Sequence, residues 1–214
     1  MRKKLLFLCI GSVCAALLCS PATGHAKRGL PDYVVEKSYG DNNTGDNVLF
    51  VVATYYGSTY RIAEVIAEVL SAEGFKIDIK LADTFAGDIS EYDAVILGSN
   101  IYIEEWNEDA LAFLDEYKTD LAVKKVAYFC VCAILGMDIG GKEEEYAANY
   151  IKKIAEGYPE IVPVADAAFA GAVDYRILNF KDWWLLRLMF MQPGNWTDYG
   201  AVVSWAYTVS GKLQ

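Results

Sequence analysis

Histidine is almost missing from this 214-residue chain: the single copy is His25. Prolines number five and cysteines five, with three of those cysteines, Cys9, Cys14 and Cys19, inside the first 26 residues. A basic excess is missing as well, since 19 Lys and Arg face 29 Asp and Glu. That balance excludes the electrostatic footprint of a nucleic-acid binder, so no nucleic-acid partner is expected. No apolar run reaches the roughly 20 residues a membrane-spanning helix needs. What is present, 54% hydrophobic and 14% aromatic residues, excludes disorder and describes one globular unit with a large core.

The first 26 residues differ from the rest. Arg2, Lys3 and Lys4 open the chain, Leu5 to Leu18 follow as an apolar run, and small residues from Ser20 to Ala26 close it, with Pro21 as a breaker. This is the layout of a secretory signal peptide, and the run is short for an uncleaved anchor. Gly24-His25-Ala26 is the favoured cleavage point, with Ser20-Pro21-Ala22 as the alternative. Val13 and Leu18 precede Cys14 and Cys19 where a lipoprotein signal wants a small residue, which argues against lipidation. The expected address is therefore exported, periplasmic or extracellular. The remaining chain carries 16 basic against 29 acidic residues and no imidazole. A Ser-His-Asp triad, a Cys-His nucleophile and a His-ligated zinc are excluded there, and Cys130 and Cys132 alone cannot build a structural zinc site. No metal site is expected, and no side chain stands out as a catalytic acid or base.

Residues 27–46 are polar and end in Gly40-Asp41-Asn42-Asn43-Thr44-Gly45-Asp46, which reads as a flexible leader ahead of a domain over 47–214. Val48 to Ala53 is a continuous apolar run, the pattern of a strand covered on both faces. Ile62, Ala63, Ile66, Ala67, Val69 and Leu70 then recur at helical spacing, with Arg61, Glu64 and Glu68 on the opposite side. Strands are expected over 75–81, 94–99, 126–132 and 168–173, and helices over 107–117, 142–156 and 199–213. Residues 174–198 form an insertion before the last helix. Strand and helix alternate, so the fold class is α/β, a doubly wound parallel sheet of five strands with a helical insertion before the last helix.

Open α/β sheets bind ligands beyond the carboxyl ends of their strands, which directs attention to the segments at and after Ala53, Gly98 and Cys132. The first is Thr54-Tyr55-Tyr56-Gly57-Ser58-Thr59, where amides and hydroxyls converge on a helix N-terminus and form an anion cradle. It is too short for GxxxxGK[ST], lacks a lysine, and does not have GxGxxG spacing, so a nucleoside triphosphate and a dinucleotide are disfavoured. A single phosphate group remains, beside the simpler reading that Gly57 turns the chain and Ser58 or Thr59 caps the helix. The second segment, Ser99-Asn100-Ile101-Tyr102, followed by Trp106, offers small residues and then aromatics on which a flat ring could lie. The third, Val131-Cys132-Ala133, could pack against the same ring. One phosphate plus one flat heterocycle suggests FMN.

Thr54…Gly57-Ser58-Thr59 resembles the phosphate loop of flavodoxins, and the likeness extends over roughly 48–214. Ala170-Gly171-Ala172, Tyr175, Asp182, Gly194, Asp198 and Trp205 are spaced much as in the flavodoxin-like branch that includes the menaquinone-dependent protoporphyrinogen IX dehydrogenases. The resemblance implies a flavodoxin-like fold. It also implies FMN phosphate contacts from Thr54, Gly57, Ser58 and Thr59, and ring contacts from Asn100 to Tyr102 and from Val131 to Ala133. Tyr56 stands where many flavodoxins have Thr, and the tail after Asp198 is shorter than in that branch.

Two functions are compatible with these residues: an FMN-dependent oxidoreductase passing electrons to a quinone, or an electron carrier serving a redox partner protein. The stretch Lys181 to Met191, with Trp183, Trp184, Leu185, Leu186, Leu188, Met189 and Phe190, is apolar nearly all round. It reads either as a surface for a quinone, a porphyrinogen or a membrane, or as a helix buried in its own insertion. Glu104, Glu105, Glu108 and Asp109 would disfavour an anionic reduced flavin and attract a basic partner, or simply start a solvated helix. Cys130 and Cys132, two apart on a strand, read as buried small hydrophobes more simply than as a redox pair.

Overall fold

The computed structural model describes residues 30–214; the expected signal segment 1–26, with its cleavage point, lies outside the described residues. Within them the chain forms strands β1 (Lys37–Tyr39), β2 (Asn47–Ala53), β3 (Lys76–Leu81), β4 (Ala94–Tyr102), β5 (Glu105–Trp106), β6 (Lys125–Cys132), β7 (Ala165–Ala170), β8 (Ala172–Val173) and β9 (Gly194–Asn195). The helices are α1 (Ser58–Ala72), α2 (Glu108–Leu121), α3 (Glu143–Gly157), α4 (Phe180–Leu188) and α5 (Tyr199–Leu213).

Five strands pair in parallel in the order β3-β2-β4-β6-β7. This is the doubly wound arrangement expected, and β2, β4 and β6 lie side by side at its centre. β2 is buried from Val48 to Ala53 because helices cover both faces. One layer is α1 and α5, which pack Ile62, Ile66, Leu70, Val202, Ala206 and Val209 against Phe50, Ile96 and Phe129. The other is α2 and α3, whose Phe113, Leu114, Tyr150 and Ile154 cover Leu49, Val95, Leu97 and Tyr128.

Two expectations need correcting. Residues 27–46 do not all form a loose leader: β1 adds an antiparallel edge to β3, Val34 enters the core, and the Tyr60 hydroxyl donates to the Val35 carbonyl at 2.6 Å. Three residues of strand inside a polar segment give no period to read. The last parallel strand occupies 165–170 rather than 168–173, because an edge strand tolerates exposed Asp166, and Gly171 N–H closes the ladder on the Cys132 carbonyl at 3.2 Å. Ala172 and Val173 instead pair with Gly194 and Asn195 in a small ribbon at the base of the insertion. The five parallel strands stand as expected, and β1 on β3 and β5 on β4 extend them with antiparallel neighbours to a sheet of seven.

The two ladder cysteines are free thiols, with Cys130 fully buried and its pKa pushed well up by that burial. Tyr128, 1% exposed, has its phenol pushed up to about 12 by desolvation, which favours the neutral form in the fold. Its contribution to stability is complete below pH 10, the unfolded value, and is lost as the pH rises through about 12. Alkaline denaturation should therefore steepen across that window, and Tyr128→Phe should flatten it when unfolding free energy is measured by urea titration at successive pH values.

Candidate functional site

Because β2, β4 and β6 are neighbours and parallel, the segments that follow them meet beyond one end of the sheet, around a cavity of about 870 Å³. This is near the top of the roughly 300–1,000 Å³ range of small-molecule sites. Of the expected residues, Tyr55, Tyr56, Ser58, Asn100, Ile101, Tyr102, Val131, Cys132 and Ala133 line it. Thr54, Gly57, Thr59 and Ser99 are not among its lining residues but adjoin those that are. Ser99 Oγ accepts from Asn107 N–H and donates to the Asn100 carbonyl, both at 3.0 Å, so it shapes the β4 end from within the core.

The cradle is built from its turn outward. Thr54 Oγ1 accepts the Gly57 N–H at 3.0 Å, and Gly57 adopts φ +81°, where a side chain would be strained and a Cβ would fall 2.4 Å from the Tyr33 hydroxyl. Asn100 Oδ1 takes the Tyr55 N–H at 3.1 Å and the Asn107 amide at 2.8 Å, locking the first loop to the second. α1 then begins at Ser58 with no side-chain cap and no acid in its first turn. Its orphan amides and positive dipole end face outward, and Thr59 Oγ1, fully buried, is among the described residues a buried side-chain oxygen with no partner. Leaving a buried hydroxyl unmet costs about 1–3 kcal/mol, and an anion bound at the helix start would satisfy it.

The ring end is aromatic. Tyr55 and Tyr102 meet edge to face at 5.4 Å, and Tyr146 and Tyr150 of α3 approach from the β6 side. Cys132 donates to the Tyr150 hydroxyl at 3.8 Å, and burial raises both groups above their ordinary values. Between β4 and β5 the chain reverses through Ile103 and Glu104, with φ +49° and +63°. A two-residue hairpin of this sort favours Asn-Gly, so a β-branched residue in the left-handed region is strained by about 1–3 kcal/mol on the rim of the cavity. The acidic cluster beside it divides in two. Glu108 and Asp109 sit in the first turn of α2, where the helix dipole favours them, while Lys153 pairs with Glu105 at 2.5 Å and donates to the Glu104 carbonyl at 2.7 Å.

Several wall residues have no counterpart in the motif-based expectation. Arg61 is exposed, as the periodicity of α1 expects, yet it also lines the cavity mouth with its guanidinium 4.4 Å from the centre of the Tyr33 ring, and Pro31 and Tyr33 come with it from the polar segment. Arg176 lies on the same wall and forms an exposed pair with Asp174, whose carboxyl the guanidinium hydrogen bonds hold down at about 2. The insertion closes the far side with Leu185, Leu186, Met189 and Met191. The one signal for this was Asp182, a lone acid inside an apolar stretch. It is 3% exposed and receives hydrogen bonds from the hydroxyls of Tyr56 and, at 2.7 Å, Tyr102.

A family model described as "Flavodoxin domain" matches residues 49–199. The chain belongs to the flavodoxin-domain family. Membership implies a flavin cofactor, and the uncapped α1, the unpartnered Thr59 hydroxyl and the flat-walled cavity fit a flavin that carries an anionic group. No curated protein matches the chain. Among solved structures it is similar to a short-chain flavodoxin associated with a bacterial microcompartment, at 13% identity and TM-score 0.53, covering 79% of this chain and all of that one. It is also similar to a flavodiiron core from Synechocystis, at 12% identity and TM-score 0.51, covering 81% of this chain and 37% of that one. These likenesses establish the flavodoxin-like fold.

Thr59→Val tests the cradle. Removing the unmet hydroxyl should stabilise the ligand-free protein by about 1 kcal/mol in urea unfolding and weaken flavin phosphate binding about tenfold in a fluorescence titration.

Proposed function

We propose that the protein is an exported FMN-binding oxidoreductase that passes electrons to a quinone, like the menaquinone-dependent protoporphyrinogen IX dehydrogenases its sequence resembles. The observation that carries the FMN reading is the buried Thr59 hydroxyl without a partner at an uncapped helix start. A phosphate monoester satisfies both at once, whereas riboflavin alone satisfies neither. Arg61 adds positive charge to that end of the cavity. Bound FMN would supply the capacity to take up and release one or two electrons. The protein's part is to grip the phosphate, to present Tyr55 and Tyr102 to the ring, and to exclude water with the apolar insertion wall.

The insertion supports the quinone side of the reading. α4 is not buried within the insertion: Phe180, Trp184, Leu188 and Phe190 are 78%, 53%, 50% and 67% exposed, with Lys181 and Arg187 beside them. An apolar helix face flanked by cations suits the interface of an anionic bilayer, where a lipid-soluble quinone resides. Among the described residues no helix is long and apolar enough to cross a membrane. The same helix presents Leu185, Leu186 and Met189 to the cavity, beside which a second flat apolar ring has room.

The carrier reading is favoured by one specific feature, the acidic residues Glu104, Glu105 and Glu108 at the ring end, which suit a basic protein partner. Anaerobic photoreduction separates the two. A menaquinone analogue in vesicles should reoxidise the reduced protein within seconds, and protoporphyrinogen should reduce the oxidised form. Reoxidation by a basic redox protein alone would identify a carrier. Colourless protein that leaves FMN fluorescence unquenched at micromolar levels would sink both.

A further inference from the structure

α4 departs from the usual burial of a surface helix, since Phe180, Trp184 and Leu188 are exposed while its one carboxylate is buried. The Asp182 carboxylate is met from two directions. Tyr56, from the cradle after β2, donates to Oδ2, and Tyr102, from the end of β4, donates to Oδ1 at 2.7 Å. Asn179 completes the cluster: its Oδ1 caps α4 by accepting the Asp182 N–H at 2.9 Å, and its Nδ2 donates to Oδ2 at 3.1 Å and to the Tyr56 hydroxyl at 2.9 Å. Each oxygen of one side chain thus holds a different cofactor segment, and both segments are held to the insertion through it.

We propose that Asp182 is a positioning residue that couples occupancy of the cofactor site to docking of the insertion. The proposal rests on the FMN reading above for the identity of the ligand. Both tyrosine hydroxyls reach the carboxylate together in the arrangement that sets the cradle and the β4 end around the cavity. A ligand that fixes those two segments therefore also fixes α4, and with it the wall made by Leu185, Leu186 and Met189. Conversely, loss of the carboxylate removes the acceptor that both half-buried phenols share and frees the insertion to swing outward, carrying its exposed aromatic face with it. By reciprocity, α4 held in its docked position by another surface would tighten the cofactor site.

Hydrogen exchange of backbone amides across 176–191, read by mass spectrometry on the full chain, tests this. In the wild type FMN should slow exchange of that segment about tenfold, the size expected for charge-assisted hydrogen bonds to a carboxylate. Asp182→Asn keeps the shape and removes the charge. Its insertion should exchange about tenfold faster than the wild type without FMN and should not respond to FMN, while exchange in β2 and β4 stays unchanged. Tyr102→Phe, which cuts one arm only, should fall between the two.

An Asp182→Asn insertion that exchanges as slowly as the wild type overturns the pin. FMN binding without slower exchange at 176–191 overturns the coupling. Wild type that leaves FMN fluorescence unquenched defeats the cofactor reading instead, and the ligand-free comparison of wild type with Asp182→Asn still decides whether the carboxylate holds the insertion.

Discussion

Parallel pairing of β2, β4 and β6 obliges the three connections that leave them to emerge at the same end of the sheet. Each strand is covered on both faces, so none can shift its register without exposing buried Val, Leu, Ile or Phe. The cavity inherits that rigidity. Gly57 turns the first connection, Asn100 fastens it to the second, and Gly171 lets the β7 end lie close to the third, where a Cβ would fall 2.9 Å from Val131. Positions on three separate stretches of sequence are thereby fixed relative to one another before any ligand arrives, which lowers the ordering cost of binding.

On this frame the protein holds several local arrangements that are unfavourable by themselves. A helix starts without a cap, a threonine hydroxyl is buried unmet, Ile103 is held in the left-handed region, and a carboxylate is enclosed by phenols. They all stand around one cavity, whereas the core beneath it is conventional in packing and polarity. Such a concentration of local cost at one place marks a site whose geometry is maintained by the surrounding sheet.

The central part of the fold was legible in the sequence because its signals are strong and local. Continuous apolar runs gave β2, β4 and β6, helical spacing gave α1, and the Gly57-Ser58-Thr59 turn marked the cradle. Three kinds of information were not legible. β1 is three residues of pairing within a polar segment, too short for a period. The periodicity of α1 places Arg61 on its exposed side, as found, but the Tyr33 ring beneath its guanidinium arrives from a separate segment, so its place on the cavity wall could not be read from the helix alone. The two faces of α4 were indistinguishable because both are apolar, and only tertiary contact decides which one meets the cavity and which meets solvent. Asp182 could be singled out as an anomaly in that stretch, but its partners lie 126 and 80 residues away.

The edge pairing of β1 on β3 reaches further than its length suggests. By laying residues 30–39 along α1, it delivers the Tyr33 ring to Gly57 and beneath Arg61. The chain upstream of the sheet is therefore part of the cofactor site's wall. Shortened versions of the protein that begin at the first buried strand would retain the α/β core yet lose one side of the cavity wall, and any tag fused close to residue 30 would emerge beside the start of α1.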